Sequence, residues 1–557
     1  MYLFVAASGW EHGLNLFLDQ CDAQEYANIT KALKSRLTNL KLFLDLSKLK
    51  VLIIDDDLGT MTDALVAHCK TLICCDSNWH KLALIKKRNN DAIHCVRTPD
   101  TYALPFPDNI FDIVLVSPVA NTVRKLLDCN SQVILQEFGR ILKQDGSFLI
   151  VRNRQAEKRK QKFWLSPFVL QKKQFSVHEW LLGPPLGSEI FEAVPEKGWR
   201  QLRSHAFSSL GRLKHWLVSQ HLYPTLAPSR VIIAQRGENN GSTLDKIITE
   251  VETNTGAQYR TEKVLFLSST LVLLENRRDH DNGLIIRIPY SHRESEARCQ
   301  KNFLALQSIK KIWPKLPIDI PEAVCNGRID NIHYFVEGRL LGVGIDSPDR
   351  GYDRLVVQAA QLSATIFNAT KRPADTCRQE LETWLASLTV LFDSPYLTHR
   401  HLDIQKLKGI ILEGILDASK EVCLCHGDFK VENILVRHDG SFSGLIDWDL
   451  HALTGVPFLD LYPLLLRRRA VKKGESTMQS IHSILQPNKF DTFEKKIIHG
   501  YVDATGSDHN IVSTIGIVYW LHTVTCRMVF HYLKLNRRWF DEYICKPLDT
   551  INKSYLS

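Results

Sequence analysis

Four short apolar runs separated by helical stretches organise residues 48 to 151. They are Lys50-Val51-Leu52-Ile53-Ile54, Thr71-Leu72-Ile73-Cys74-Cys75, Phe111-Asp112-Ile113-Val114-Leu115-Val116 and Ser147-Phe148-Leu149-Ile150-Val151. Nearly every position in each is apolar, the pattern of strands buried on both faces of a parallel sheet. Between the last two runs, Val133, Ile134, Phe138, Ile141 and Leu142 recur at helical spacing, and Asp145-Gly146 is a helix-ending pair. This alternation predicts a doubly wound α/β domain. Val231-Ile232-Ile233-Ala234 reads as one more strand of the same sheet.

The stretch from 152 to 230 carries a different signal. Arg152, Arg154, Lys158, Arg159, Lys160 and Lys162 precede Phe163-Trp164. Two readings stand: a solvated helix face, or a clamp for an anionic substrate or a membrane surface, which would make 152–173 a peripheral membrane contact. Arg236-Gly237-Glu238-Asn239-Asn240-Gly241-Ser242 is polar and glycine-containing, and reads as a linker. It divides the chain into domains over 1–235 and 243–557.

Beyond it come three β-like runs, Val264–Leu267, Leu271–Leu274 and Leu284–Ile288, the last two joined by a hairpin over 276–283. A helix is expected over 294–309 and a strand over 333–338. From about 350 helices dominate, interrupted only by the segment 422–449.

Composition narrows the class. A chain of 557 residues suggests two to four compact units. With 44% apolar and 24% charged residues it has an ordinary globular balance. The net charge of +9 suits anionic partners such as nucleotides or phosphorylated sugars, but does not call for nucleic acid, and none is expected as a partner. The 13 cysteines show neither zinc spacing nor a disulfide framework, so free thiols are expected. The opening Met1–Val5 run is short for a signal peptide, and Ile511–Val524 is short for a bilayer span, so a soluble cytoplasmic protein is expected.

The candidate chemistry lies in Val422-Cys423-Leu424-Cys425-His426-Gly427-Asp428-Phe429-Lys430-Val431-Glu432-Asn433-Ile434-Leu435-Val436, followed by Leu445-Ile446-Asp447-Trp448-Asp449. It reads as strand, polar loop, strand, then a hairpin return. Phosphoryl transfer needs one carboxylate to take the acceptor's proton and hard oxygen ligands for Mg²⁺. Asp428 suits the first role; Asn433 and Asp447 suit the second.

With His426, Asp428, Asn433 and Ile446-Asp447-Trp448-Asp449 in place, and Gly455-x-Pro457-x-x-Asp460-Leu461 following, residues 243–557 resemble the aminoglycoside phosphotransferase and choline kinase family. The resemblance implies a two-lobed, protein-kinase-like fold that uses ATP and Mg²⁺. It makes Asp428 the catalytic base and Asn433 and Asp447 the metal ligands. Asp449 would touch a second metal or be structural, and His426 would hold the loop by hydrogen bonds. Ser268 and Ser269 occupy the phosphate-covering turn, which lacks glycine here. Arg287 stands where the family places a lysine, with Glu296 as its first candidate helix partner and Glu294 as the second. Phe335-Val336-Glu337-Gly338 resembles the hinge that holds adenine by its backbone.

Residues 48–151 resemble a class I S-adenosylmethionine-dependent methyltransferase, a Rossmann-like fold. The resemblance rests on Cys75-Asp76-Ser77, on Leu104 to Val114, and on Glu137-x-x-Arg140-Ile141-Leu142-Lys143-x-x-Gly146. It implies that Asp76 holds the cofactor ribose and that Gly59 belongs to the cofactor turn. Asp55-Asp56-Asp57 departs from the glycine pattern of that turn, and reads as a solvated acidic turn or a metal cluster. The expected activity is phosphorylation of a hydroxyl on a small molecule or glycan, with the first domain methylating the same product or serving as a scaffold or substrate-binding module. The domain order resembles that of bacterial enzymes that cap O-antigen chains. Oligomeric state is not legible from one sequence, and a third reading leaves both sites inert.

Overall fold

A computed structural model describes residues 49–116, 131–153, 176–183, 191–195, 229–235, 243–345, 351–390, 420–528 and 537–553, together with positions 397, 405–407 and 409. Short gaps fall at 57–58, 67, 90–91, 100–102, 267–268, 280–282, 290–292 and 487–489. The basic segment beyond Asn153, the linker 236–242, Asp57 and Ser268 lie outside the described residues. The chain forms two compact units, one of residues 1–299 with 324–338, the other of 300–323 with 339–557.

The first unit opens with β1 (Lys50–Ile54), α1 (Thr60–Leu65), β2 (Thr71–Asp76), α2 (Trp79–Arg88), β3 (His94–Arg97), β4 (Phe111–Val116), α3 (Ser131–Ile141) and β5 (Leu142–Asn153). These strands run parallel in the order β5-β4-β1-β2-β3. Val51, Leu52, Ile53 and Ile54 of β1 are all buried, as a central parallel strand requires. Strand order reverses at β1, so the crevice at the carboxyl ends of β1 and β4 is where this topology binds ligands.

One sequence expectation is corrected here. Asp145-Gly146 does not end α3; β5 starts at Leu142 and passes through the pair. The register against β4 slips between Phe111 and Ile113, so the extra residues form a bulge. Gly146 suits that bulge, because a β-carbon there would sit 3.0 Å from the Lys143 carbonyl.

The sheet continues through β8 (Ser229–Gln235), antiparallel to β5, then β6 (Ser176–Gly183) and β7 (Phe191–Pro195). β7 pairs with β9 (Tyr259–Phe266), which follows α4 (Thr243–Thr255). The antiparallel ladder runs on through β10 (Thr270–Asn276), β11 (Leu284–Ile288), β13 (Ile332–Gly338) and β12 (Ala323–Ile329), making thirteen strands in all. The compact-unit boundary falls inside α5 (Arg293–Ile312).

The second unit contains β14 (Val343–Gly344), α6 (Tyr352–Thr370), β15 (Arg372–Pro373), α7 (Arg378–Leu388), β16 (Glu421–Cys425), β17 (Ile434–Val436), β18 (Phe442–Leu445) and β19 (Ala452–Gly455). Helices α8 (Leu461–Lys473), α9 (Thr477–Ile484), α10 (Thr492–Thr505) and α11 (Val512–His522) follow. α9 and α10 begin with capping boxes at Ser476/Gln479 and Asp491/Glu494. One core joins α6, α8 and α11 to the two short sheets. β17 and β18 pair antiparallel, setting Ile434 opposite Leu445.

Candidate active site

The candidate catalytic segment is a loop between β16 and β17 whose backbone is held from several directions. Gly427 has a φ of 80°, and a β-carbon there would lie 2.0 Å from the Leu450 carbonyl oxygen. Glycine is therefore the residue this close approach admits. The carboxylate of Asp460, the N-cap residue of α8, accepts from the backbone N–H of His426 and of Gly427, both at 2.8 Å. Burial pushes Asp460 up to about 6, against the pull of those two donors.

His426 is buried among these groups. Its Nε2 donates to the Ile446 carbonyl at 2.9 Å, while Nδ1 accepts from the Asp428 N–H at 3.3 Å. Burial lowers its pKa to about 4, so it stands neutral at physiological pH with both nitrogens engaged. That leaves it as a brace for the loop, with its ring 4.6 Å from that of Trp448. Trp448 is fixed by its backbone N–H to Asn302 Oδ1 at 2.8 Å and by Nε1 to the Leu445 carbonyl at 3.0 Å.

The expected catalytic and metal residues are gathered by the same bonds. Asn433 Nδ2 donates to the Asp428 carbonyl at 2.9 Å, which leaves the amide oxygen to serve as an acceptor. The Ile446 N–H donates to the Asn433 carbonyl at 3.0 Å, so Asp447 follows directly on the tie between the two loops. Asp447 holds a φ of 73°, an unusual conformation for a non-glycine residue. Asp428 is 8% exposed, and the Lys430 ammonium lies 2.8 Å from its Oδ2.

Asn433 and Asp447 offer one amide oxygen and one carboxylate, hard-oxygen donors of the kind Mg²⁺ accepts when phosphate and water complete its shell. Among the described residues no cluster of three or more His, Cys, Asp or Glu forms a cage for a metal. Lys430, Asp460 and Asn302 were not assigned roles from sequence; Asp460 stood within a noted motif, whereas nothing local pointed to Asn302.

The residues of the first unit that the resemblance assigns to nucleotide binding are arranged differently from the sequence expectation. Arg287 pairs with Glu337 on the neighbouring strand at 2.9 Å, with side chains 11% and 4% exposed. Glu296 instead lies 3.6 Å from His333 Nδ1. The reason is strand register: β11 sets Arg287 opposite Phe335, within diagonal reach of Glu337. Ser269, the residue before β10, is buried. The side chain of Glu294 lies outside the described residues.

In the first domain, Asp55 adopts a φ of 56°, the left-handed conformation a glycine would supply. The Asp56 carboxylate turns inward and accepts from the N–H groups of Met61 and Thr62 at 3.2 and 2.7 Å, and from the Thr62 hydroxyl at 2.6 Å. It occupies the first amides of α1, and burial raises its pKa. Gly59, at φ 77°, packs on α2, where a β-carbon would lie 2.8 Å from Ile85 Cγ1. Asp76 is buried at the end of β2, and its Oδ1 accepts from the Asn78 N–H at 2.7 Å. Gly59 thus stands in the turn after β1, and Asp76 at the end of β2, the positions at which the resemblance expects the cofactor turn and the ribose acid. The buried Asp56 carboxylate, held on the α1 amides, fills the turn where the resemblance expects glycines and the carboxylate end of S-adenosylmethionine, so the residues present at that turn do not fit the cofactor pattern.

The motif residues Glu137 and Arg140 have a structural role. Arg140 donates to the carbonyls of Leu104 and Phe106 and to Asp108, while Glu137 accepts from the Leu104 N–H at 2.6 Å. They staple the loop 104–108 to α3.

Comparison with known proteins follows these lines. Residues 279–477 match the model of the phosphotransferase enzyme family (APH), and residues 58–150 match a methyltransferase domain. No curated protein matches the chain. Among solved structures, a SAM dependent methyltransferase from Aquifex aeolicus is 13% identical, covering 38% of this chain and 98% of its own, with a TM-score of 0.24. YcgJ from Bacillus subtilis is 14% identical, covering 38% and 100%, with a TM-score of 0.24. The ADP-bound aminoglycoside phosphotransferase APH(2'')-Ib is 14% identical, covering 56% and 98%, with a TM-score of 0.32. With both family matches falling on the two regions described above, this chain carries a methyltransferase domain followed by a kinase-like domain of the phosphotransferase enzyme family.

Proposed function

We propose that the chain is an ATP- and Mg²⁺-dependent phosphotransferase acting on a hydroxyl of a small molecule or glycan. The observation that carries this reading is the bonded assembly of Asp428, Asn433 and Asp447 on one loop system. Asp428 orients the acceptor hydroxyl and takes its proton as the acceptor oxygen bonds to the γ-phosphorus. The bond from that phosphorus to the β–γ bridging oxygen breaks, and ADP carries away the electron pair. Asn433 and Asp447 would hold Mg²⁺, which when bound neutralises phosphate charge. Ser268, Ser269, Arg287 and Glu337 are the proposed nucleotide residues. Arg287 has an ion pair with Glu337 to exchange for phosphate.

The first domain is read as a non-catalytic scaffold or substrate-binding domain, with 236–242 as the functional boundary. Asp56 favours this reading, because its carboxylate occupies the α1 amides at the cofactor turn. Methylation of the same product is the competing reading. The described cysteines are free thiols, in keeping with a cytoplasmic setting. Among the described residues no helix is long and apolar enough to cross a membrane.

Calorimetric titration with Mg-ATP and with S-adenosylmethionine separates these readings. Binding of Mg-ATP alone is the expected result. Binding of both would restore methyl transfer, and binding of neither would overturn the phosphotransferase reading. A screen of sugar, polyol and amino-alcohol acceptors then identifies the product.

A further inference from the structure

His522 is the last residue of α11, and the chain runs on from it in a π-helical turn, Thr523–Met528. Such single wide turns recur at functional sites. The side chain is 1% exposed and lies directly on the catalytic loop: a β-carbon on Gly427 would sit 2.8 Å from Nε2. Neither ring nitrogen makes a hydrogen bond of good geometry. The Trp384 ring is 6.4 Å away, and the charged or titratable groups that bear on the imidazole are Lys301 and His451. Burial first, then Lys301 and His451, hold the imidazole neutral with a pKa of about 3, while the Gly427 backbone pulls the other way.

A neutral imidazole keeps one N–H and one lone pair. Burying both without good partners costs free energy that an apolar ring of the same shape would not incur. A polar group at hand is the Gly427 backbone, one residue before Asp428. Catalytic hydrogen bonds that are long in a free enzyme commonly tighten in its complexes.

We infer that His522 is a positioning residue for phosphoryl transfer, its ring N–H donating to the Gly427 carbonyl in the reacting complex and thereby fixing the Asp428 carboxylate. The inference rests on the phosphotransferase reading above. It assigns His522 no contact with either reactant.

The test compares His522→Gln, which retains an N–H donor, with His522→Leu and His522→Phe, which do not. The readouts are Mg-ATP turnover with water as acceptor, Mg-ATP affinity by calorimetry, and amide hydrogen exchange across residues 424–430. The Leu and Phe variants are expected to lose about 10²-fold in kcat, the scale of a 1 Å misplacement. Their Mg-ATP affinity should stay within about twofold, exchange across 424–430 should quicken, and Gln should recover most of the rate. Retained kcat in Leu or Phe, or equal losses in Gln and Leu, would overturn the inference. A wild type that binds Mg-ATP yet phosphorylates none of the sugar, polyol or amino-alcohol acceptors would count against the phosphotransferase reading itself. Exchange would still judge His522, since unchanged protection in the Leu variant removes its positioning role.

Discussion

Replacing Gly427 with alanine puts a methyl group where the loop has no room for one. The new β-carbon would lie 2.0 Å from the Leu450 carbonyl oxygen and 2.8 Å from His522 Nε2. To reach even the 3.0 Å limit of real contacts, the loop or the Leu450 turn must retreat by about 1 Å. Two costs add. The left-handed conformation costs an alanine about 1 kcal/mol or slightly more. Forcing a methyl into a packed site costs about 1–3 kcal/mol. Gly440 separates them: its φ is 84°, close to the 80° of Gly427, yet a β-carbon there meets nothing within 4 Å. Gly440→Ala should therefore lose only the conformational share, about 1 kcal/mol, whereas Gly427→Ala should lose about 2–4 kcal/mol. Urea unfolding of both variants measures the difference. Turnover should fall about 10²-fold in Gly427→Ala, because the base moves with the loop, and stay near wild type in Gly440→Ala. A Gly427→Ala variant as stable as Gly440→Ala, with normal turnover, would refute the packing argument.

Three further outcomes are expected. Asp428→Asn should abolish phosphate transfer while Mg-ATP affinity by calorimetry stays nearly intact; turnover retained in that variant would remove Asp428 from the base role. Arg469 and Glu494 form a buried pair through two 2.6 Å bonds, with side chains 2% and 0% exposed. Glu494→Ala should destabilise the chain by about 3–5 kcal/mol in urea unfolding, because it removes the carboxylate that takes two bonds from a buried guanidinium. Acid should weaken the fold as well. His426 and His451, lowered to about 4, and His522, lowered to about 3, bind fewer protons folded than unfolded below about pH 6.5, so stability falls as pH drops through that window. Asp460, raised to about 6, works in the opposite sense between about pH 6 and 4 and offsets part of the loss. At about 1.4 kcal/mol per unit and group, the net loss between pH 6.5 and 4.5 is on the order of 5 kcal/mol, measurable by urea unfolding at the two pH values.

The sequence by itself determined what depends on near neighbours along the chain. Strands buried on both faces must be almost wholly apolar, so β1, β2 and β4 were legible as runs, and their alternation with helices implied a parallel sheet. Asp428 and Asn433 are five residues apart in one loop, and a short hairpin returns the chain to Asp447. Their grouping therefore follows from local geometry, as the 2.9 Å bond from Asn433 to the Asp428 carbonyl illustrates. Tertiary structure decided the rest. Asp460 holds the His426 and Gly427 amides from over thirty residues away, and Asn302 holds Trp448 across 146 residues. Strand register, not helix spacing, gave Arg287 to Glu337 in place of Glu296. Such contacts depend on which distant segments a compact chain brings together, and a pattern of residue types along one dimension does not specify that.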